Sequence, residues 1–165
     1  MRPTANRVRE ALFSILADRV AGARVLDAYA GTGALGFEAL SRGAASVVFA
    51  EVDGLLARSI ERNAASWGVA SATSVMRTRV ADWVEREEFG DPFDLVLADP
   101  PYDGEEADVL LRAAAAHGLV TPGGWIVLER PARAPETPAC PGLPSFRRAR
   151  YGDSCLHFHE RPRRS

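Results

Sequence analysis

Asp99-Pro100-Pro101-Tyr102 places a carboxylate, two prolines and an aromatic ring directly after an apolar run, Phe93-Asp94-Leu95-Val96-Leu97-Ala98, that reads as a buried strand. Consecutive prolines fix φ and remove two N–H donors, so the chain must leave the sheet there as a rigid, extended turn. Such a ledge suits a planar amine. The Asp99 carboxylate and the Pro100 carbonyl can accept its N–H groups while Tyr102 stacks on the ring. The same tetrapeptide could also be a strand-ending turn with an acidic cap, so its meaning depends on what stands upstream.

Upstream lies Val25-Leu26-Asp27-Ala28-Tyr29-Ala30-Gly31-Thr32-Gly33-Ala34-Leu35-Gly36: an apolar strand, a glycine-rich turn and the start of a helix. Gly31, Gly33 and Gly36 match G-x-G-x-x-G, a spacing that lets backbone N–H groups approach a cofactor closely. Alone this is a weak signal. A second apolar run, Ser46-Val47-Val48-Phe49-Ala50, ends at Glu51, twenty residues beyond Gly31, where a carboxylate can accept both hydroxyls of a ribose. A nicotinamide dinucleotide and S-adenosylmethionine share this arrangement. Asp27 helps to separate them, because a carboxylate before the glycines repels a pyrophosphate, by about a kcal/mol even in high dielectric, and attracts the ammonium of a methionine moiety. Combined with Asp99-Pro100-Pro101-Tyr102 after the fourth strand, the pattern favours methyl transfer to an amine. In an open α/β sheet the first and fourth strands flank the switch point where ligands bind.

The elements that must position these residues alternate regularly. Thr4 can cap a helix running to about Asp18, with Val8, Leu12, Phe13, Ile15 and Leu16 as its apolar stripe. Strands are expected at 24–29, 46–50, 73–78, 93–98 and 125–129, with helices through Leu40, at 55–67, around 81–87 and at 105–116. A proline- and alanine-rich loop over 130–144 breaks this rhythm, and 146–151 with 154–160 around Gly152-Asp153 predicts a terminal antiparallel hairpin. The expectation is one α/β domain over 1–165, a doubly wound Rossmann-like methyltransferase sheet that is mostly parallel and ends in that hairpin.

At 165 residues, with 47% hydrophobic and 25% charged residues, the chain can bury a sizeable core, and no apolar stretch is long enough to span a membrane. With no signal peptide, a cytoplasmic protein is the default expectation. Cys140 and Cys155 lack metal-ligand spacing and are expected to be reduced structural thiols. His157 and His159 flank Phe158 on a strand, where a solvent-facing side is expected rather than a metal site. Trp67, Trp83 and Trp125 are expected in the core.

The net charge of −2 argues against a protein that coats nucleic acid through its overall field. All the basic residues are arginine, and they concentrate at the ends: Arg2, Arg7 and Arg9, then Arg147, Arg148, Arg150, Arg161, Arg163 and Arg164. Two readings stand open, ends that grip a phosphate backbone or an arginine-biased composition with solvated tails.

Arg2-Pro3-Thr4-Ala5-Asn6-Arg7-Val8-Arg9-Glu10-Ala11-Leu12-Phe13, the Asp27-to-Ala44 stretch, Asp99-Pro100-Pro101-Tyr102 and Tyr151-Gly152 together resemble the RsmD-type methyltransferases. The resemblance spans nearly the whole chain and implies transfer of a methyl group from S-adenosylmethionine to the N2 amine of a guanine in bacterial 16S ribosomal RNA. It implies cofactor contacts from Asp27, Tyr29, Gly31, Gly33, Glu51, Val52, Arg79 and Val80. Asp99, Pro100 and Tyr102 would form the catalytic ledge, Asn6, Arg7 and Tyr102 would contact the substrate, and no metal takes part. The partner implied is 16S RNA or the small subunit, without a membrane.

Two departures stand out against that family. Met1 directly precedes Arg2, without the basic segment that usually comes before Arg-Pro-Thr. After the third strand Arg79-Val80 replaces the usual acidic or amide residue with alanine, so the adenine would be held by the Val80 N–H and the Arg79 side chain, or by Asp82. Three other functions fit parts of the pattern: a DNA amino-methyltransferase, a non-catalytic cofactor- and RNA-binding module, and a nicotinamide dehydrogenase.

Overall fold

A computed structural model describes residues 3–101, 105–135 and 139–163. In chain order the elements are α1 (Pro3–Leu16), β1 (Arg24–Ala28), α2 (Ala34–Ser41), β2 (Ser46–Ala50), α3 (Gly54–Ser66), β3 (Thr73–Met76) and α4 (Val80–Glu85), followed by β4 (Phe93–Ala98), α5 (Glu106–His117), β5 (Val120–Pro131), β6 (Ser145–Tyr151) and β7 (Ser154–Glu160). The strands make one sheet in the order β3-β2-β1-β4-β5-β7-β6. Pairings from β3 to β5 are parallel, and β7 runs antiparallel to both β5 and β6. The doubly wound, Rossmann-like expectation is met.

Period-2 alternation sorts the core onto the two faces of the sheet. Leu26, Val48, Val96, Ile126 and Leu128 pack with α4 and α5 side chains such as Val84, Leu110 and Leu111. Val25, Phe49, Leu95, Leu97, Val127 and Phe158 face the other way, onto Leu12, Phe13 and Leu16 of α1, Ala39 of α2 and Ile60 of α3. The helix stripe expected at Val8, Leu12, Phe13 and Leu16 is buried. α1 starts one position before Thr4, at Pro3, where a missing N–H costs no helical bond.

Three expectations change. β5 begins at Val120 rather than Trp125, because Pro122-Gly123-Gly124 stays paired. The Gly123 N–H donates to the Arg161 carbonyl at 2.7 Å, and the Arg161 N–H donates back to Gly124 at 3.0 Å. Gly123 can do this at φ +82°, and the β4 register shifts between Phe93 and Leu95 to accommodate it. His157 and His159 do not face solvent. They are 6% and 3% exposed, since β7 lies inside the sheet between β5 and β6 and both its faces are covered. Trp67 is exposed and packs edge-on against Phe37, whereas Trp83 is buried and Trp125 lies between Arg19 and Phe146.

Cys140 and Cys155 are free and buried. Among the described residues no helix is long and apolar enough to cross a membrane, and no His, Cys, Asp and Glu cluster could hold a metal. The outer strand β6 carries exposed Arg147, Arg148 and Arg150, charges that guard a free sheet edge against pairing with another chain. Arg161 is committed to the fold, its guanidinium donating to the Val120 carbonyl at 2.7 Å.

Candidate active site

Strand order reverses between β1 and β4, and the residues just past the C-terminal ends of these strands line a cleft with two lobes. One lobe, of about 300 Å³, is bounded by Asp27, Gly31, Thr32 and Leu35, with Arg9 and Glu129 on its far wall. The other, of about 350 Å³, is bounded by Glu51, Val52, Thr78, Arg79, Val80 and Glu106, with Pro100 and Pro101. Tyr29 and Asp99 belong to both lobes.

The glycine turn is built around two carboxylates. Asp27, at the end of β1, is 2% exposed, and its Oδ2 accepts the Gly36 N–H from the first turn of α2 at 2.9 Å. Burial pushes its carboxyl up to about 8; the Gly36 hydrogen bond opposes this, and the charges of Asp99 and Glu51 add to it. A cation beside Asp27 would relieve that penalty. Glu51 accepts the Gly31 N–H on Oε1 and the Asp53 N–H on Oε2, both at 2.8 Å. Two such bonds leave further lone pairs for a diol. Gly36 permits the close approach of α2 to β2, since a Cβ there would sit 2.3 Å from the Phe49 ring. Gly33, at φ +83°, turns the chain into α2.

Tyr29 has φ +58°, a conformation rare for a bulky residue. Its hydroxyl donates to Glu106 Oε2 at 3.1 Å, and Glu106 Oε1 in turn lies 3.7 Å from the Arg79 guanidinium. Burial first, then the Glu106 charge, holds the phenol above its ordinary pKa. Val52 presents an exposed apolar side chain, 59% accessible, on the wall next to Glu51. Asp82 does not line the cleft; it lies 4.0 Å from Arg79 Nε on the first turn of α4.

Asp99 stands at the cleft mouth, open to solvent on one side, and the protein packed around its other sides raises its carboxyl above the ordinary range. Pro100 is buried behind it, and Tyr102 lies outside the described residues. Of the first helix, Ala5 and Arg9 line the cleft, whereas Asn6 and Arg7 do not. Asn6 Oδ1 instead accepts from the Arg9 guanidinium at 2.9 Å.

Among the cleft residues that sequence reasoning missed are Arg9, Glu106 and, most consequentially, Glu129. β4 and β5 pair with Ala98 opposite Leu128, so Asp99, just past the end of β4, and Glu129, near the end of β5, follow as neighbours. Burial, then the Asp99 charge, pushes the Glu129 carboxyl up to about 7. No local motif marks it; only strand register brings it to the site.

Three carboxylates thus converge along one end of the sheet, Asp27, Asp99 and Glu129, within a lobe whose one lining cation among the described residues, Arg9, is drawn to Asn6 and to Glu38 at 3.5 Å. These acceptors, with Glu51 in the other lobe, suit a cationic ligand with a diol and oppose a pyrophosphate.

A family model described as conserved hypothetical protein 95 matches residues 1–160. The chain belongs to this family, the RsmD-type methyltransferases. It is 38% identical over 143 residues to the ribosomal RNA small subunit methyltransferase D of Escherichia coli K12, covering 76% of this chain and 71% of that protein. It is 32% identical over 130 residues to the protein of the same name from Haemophilus influenzae, covering 78% of this chain and 67% of that protein. Among solved structures, the proposed methyltransferase yhhF from Escherichia coli superposes with a TM-score of 0.87 at 29% identity, over 99% of this chain and 89% of that one. Membership of the methyltransferase family accords with the acidic cleft and removes the dehydrogenase alternative.

Proposed function

We propose that this methyltransferase moves a methyl group from S-adenosylmethionine to the exocyclic N2 amine of a guanine in small-subunit ribosomal RNA. The observation that carries the reading is the convergence of Asp27 and Asp99 in one lobe beside the ribose-ready Glu51 of the other. The relatives named for small-subunit ribosomal RNA supply the substrate class.

The cofactor's contribution is an electrophilic methyl on a sulfonium; the rest falls to the chain. Asp27 would hold the methionine ammonium, a cation that would draw its carboxyl back to the ionised form. Glu51 accepts the ribose hydroxyls while keeping Gly31 and Asp53 in place, so the turn is set before the ligand arrives. Tyr29, Gly31 and Gly33 shape the turn, and Val52, the Val80 N–H and Arg79 would hold the adenine.

A guanine N2 lone pair is delocalised into the ring, so the nitrogen must pyramidalise before it can attack. Asp99 and the Pro100 carbonyl accept its two N–H groups and stabilise the positive charge that grows there. Transfer would form the N–C bond as the cofactor's C–S bond breaks, and the surplus proton would leave N2 through Asp99 to water. Asp99 need not be a strong base, because that proton becomes acidic only after transfer. Tyr102 is assigned the stacking face for the base, which leaves its helix to reach the ledge. Asn6 and Arg7 would contact RNA outside the cleft lining.

The test is incubation with radiolabelled S-adenosylmethionine and small subunits from cells lacking the enzyme, followed by digestion to nucleosides. Labelled N2-methylguanosine is expected. Label on another nucleoside, or no label while the cofactor binds, overturns the assignment.

A further inference from the structure

Beyond the cofactor lobes lies a larger groove of about 860 Å³, walled by Val8, Pro131, Ala132 and Pro135, with Arg133 and Arg150 also lining it. Glu129 and Ala5 are shared between this groove and the lobe that holds Asp27 and Asp99. Ala5 has no polar side chain, so among the described residues Glu129 is the one charged group lining both spaces. Among the described residues its carboxylate has no hydrogen-bond or ion-pair partner; its interaction is with the like charge of Asp99, one register step away. A half-buried carboxylate held against another carboxylate is costly to keep charged without a donor. A ligand that brings donors to both at once removes the cost.

The groove combines apolar side chains that a ring can pack on with the Arg133 and Arg150 guanidinium groups, beside the Asp153 carboxylate, for a phosphate or sugar. The carbon that bears the amine lies between N1 and N3; N3 is an acceptor on the sugar side, so a base entering with its amine at Asp99 satisfies Glu129 only by turning its N1 edge toward it. In guanine N1 is a donor, so Asp99 and Glu129 would face N2–H and N1–H side by side. In a purine whose N1 carries a lone pair, the same carboxylate opposes acceptor to acceptor.

We infer that Glu129 reads the acceptor base, accepting the N1–H of guanine beside Asp99 and so selecting guanine over purines that lack that hydrogen. This rests on the guanine-N2 reading above and adds to it a residue that determines specificity. Asp99 serves the reacting nitrogen; Glu129 tests the atom next to it.

The discriminating acceptor is 2-aminopurine, which keeps the exocyclic amine at the same carbon but has a bare N1. Once the labelled position is located, 16S RNA carrying guanine or 2-aminopurine there is assembled into subunits, and kcat/KM is measured for the wild type and Glu129→Gln. Wild type is expected to prefer guanine by about tenfold or more, the size of a well-placed base contact. In Glu129→Gln the amide can donate to a bare N1, so the preference should shrink toward parity through a loss on guanine and a gain on 2-aminopurine.

Cofactor affinity should stay within a few-fold in the variant while the base preference shifts, which separates base reading from damage to the cleft. Glu129→Asp, which keeps the charge at shorter reach, should retain part of the preference; this guards against a Gln variant that folds poorly. A guanine preference equal in wild type and Glu129→Gln, with N2-methylguanosine still formed, overturns the role of Glu129 alone. Product at another atom or base overturns the guanine-N2 reading itself.

Discussion

The half of the cleft beneath β1 and β2 holds its acidic groups in hydrogen bonds already made, whereas the half at the ends of β4 and β5 holds carboxylates that no described residue satisfies. Asp27 is tied to Gly36, and Glu51 to Gly31 and Asp53. Asp99 and Glu129 face each other across one register step with only repulsion between them. The first half is preorganised, so ligand binding there loses little to ordering. The second half is left for partners that arrive with donors, which is how a site can stabilise charge that appears only during reaction.

The widest separation between the halves should come from Asp99→Ala. Turnover is expected to fall by about 10²–10⁴-fold, the usual range for a positioned proton acceptor, while cofactor affinity stays within a few-fold. Steady-state kinetics beside calorimetric titration of S-adenosylmethionine measures both, and equal losses in the two would collapse the distinction. Glu51→Ala should show the converse. Charge-assisted hydrogen bonds of about 1.5–3 kcal/mol predict cofactor binding weaker by roughly tenfold to a hundredfold, with kcat at saturating cofactor near wild type.

Gly36→Ala sharpens the claim that the first half is rigid. Its Cβ would press on the buried Phe49 ring at 2.3 Å, and overpacking of about 1–3 kcal/mol should lower Tm in a thermal melt. An unchanged Tm would mean that α2 yields and the turn is not fixed by packing.

The smallest effect is one of pH. Asp27 holds its proton up to about 8 in the folded protein against an ordinary value of 3.8, so between these values the folded state binds more protons than the unfolded one. Stability then falls as pH rises through that window. Below pH 6.5 buried His159, held below its ordinary pKa by burial, acts with the opposite sign, but it is present in both proteins compared. The Tm of Asp27→Asn should therefore decline less steeply than that of wild type between pH 6.5 and 8. Parallel curves would show that Asp27 is ionised in the folded protein.

Most of the first half was legible in the chain, because it is local. A strand end, a glycine turn and the next strand end supply Asp27, Gly31, Gly33 and Glu51 within a short stretch, and turn chemistry at fixed spacing needs no distant partner. Asp99 and Pro100 were legible for the same reason. Glu129 and Glu106 were not: each is an ordinary acidic residue in an ordinary segment, and long-range packing carries it to the cleft. The α1 periodicity that buries Val8 and Leu12 also decides that Ala5 and Arg9 reach the cleft wall, leaving Asn6 and Arg7 off it.

The sequence by itself determined the alternation of elements, the parallel sheet and the glycine turn after β1, since these follow from hydrophobic period and from glycine and proline at fixed positions. Tertiary structure alone decided three other features. β5 continued through Pro122-Gly123-Gly124 because Arg161 supplied its hydrogen bonds. His157 and His159 were buried because β7 took an interior place in the sheet. The β4–β5 register set a second carboxylate beside Asp99, joining residues thirty positions apart that no local pattern relates.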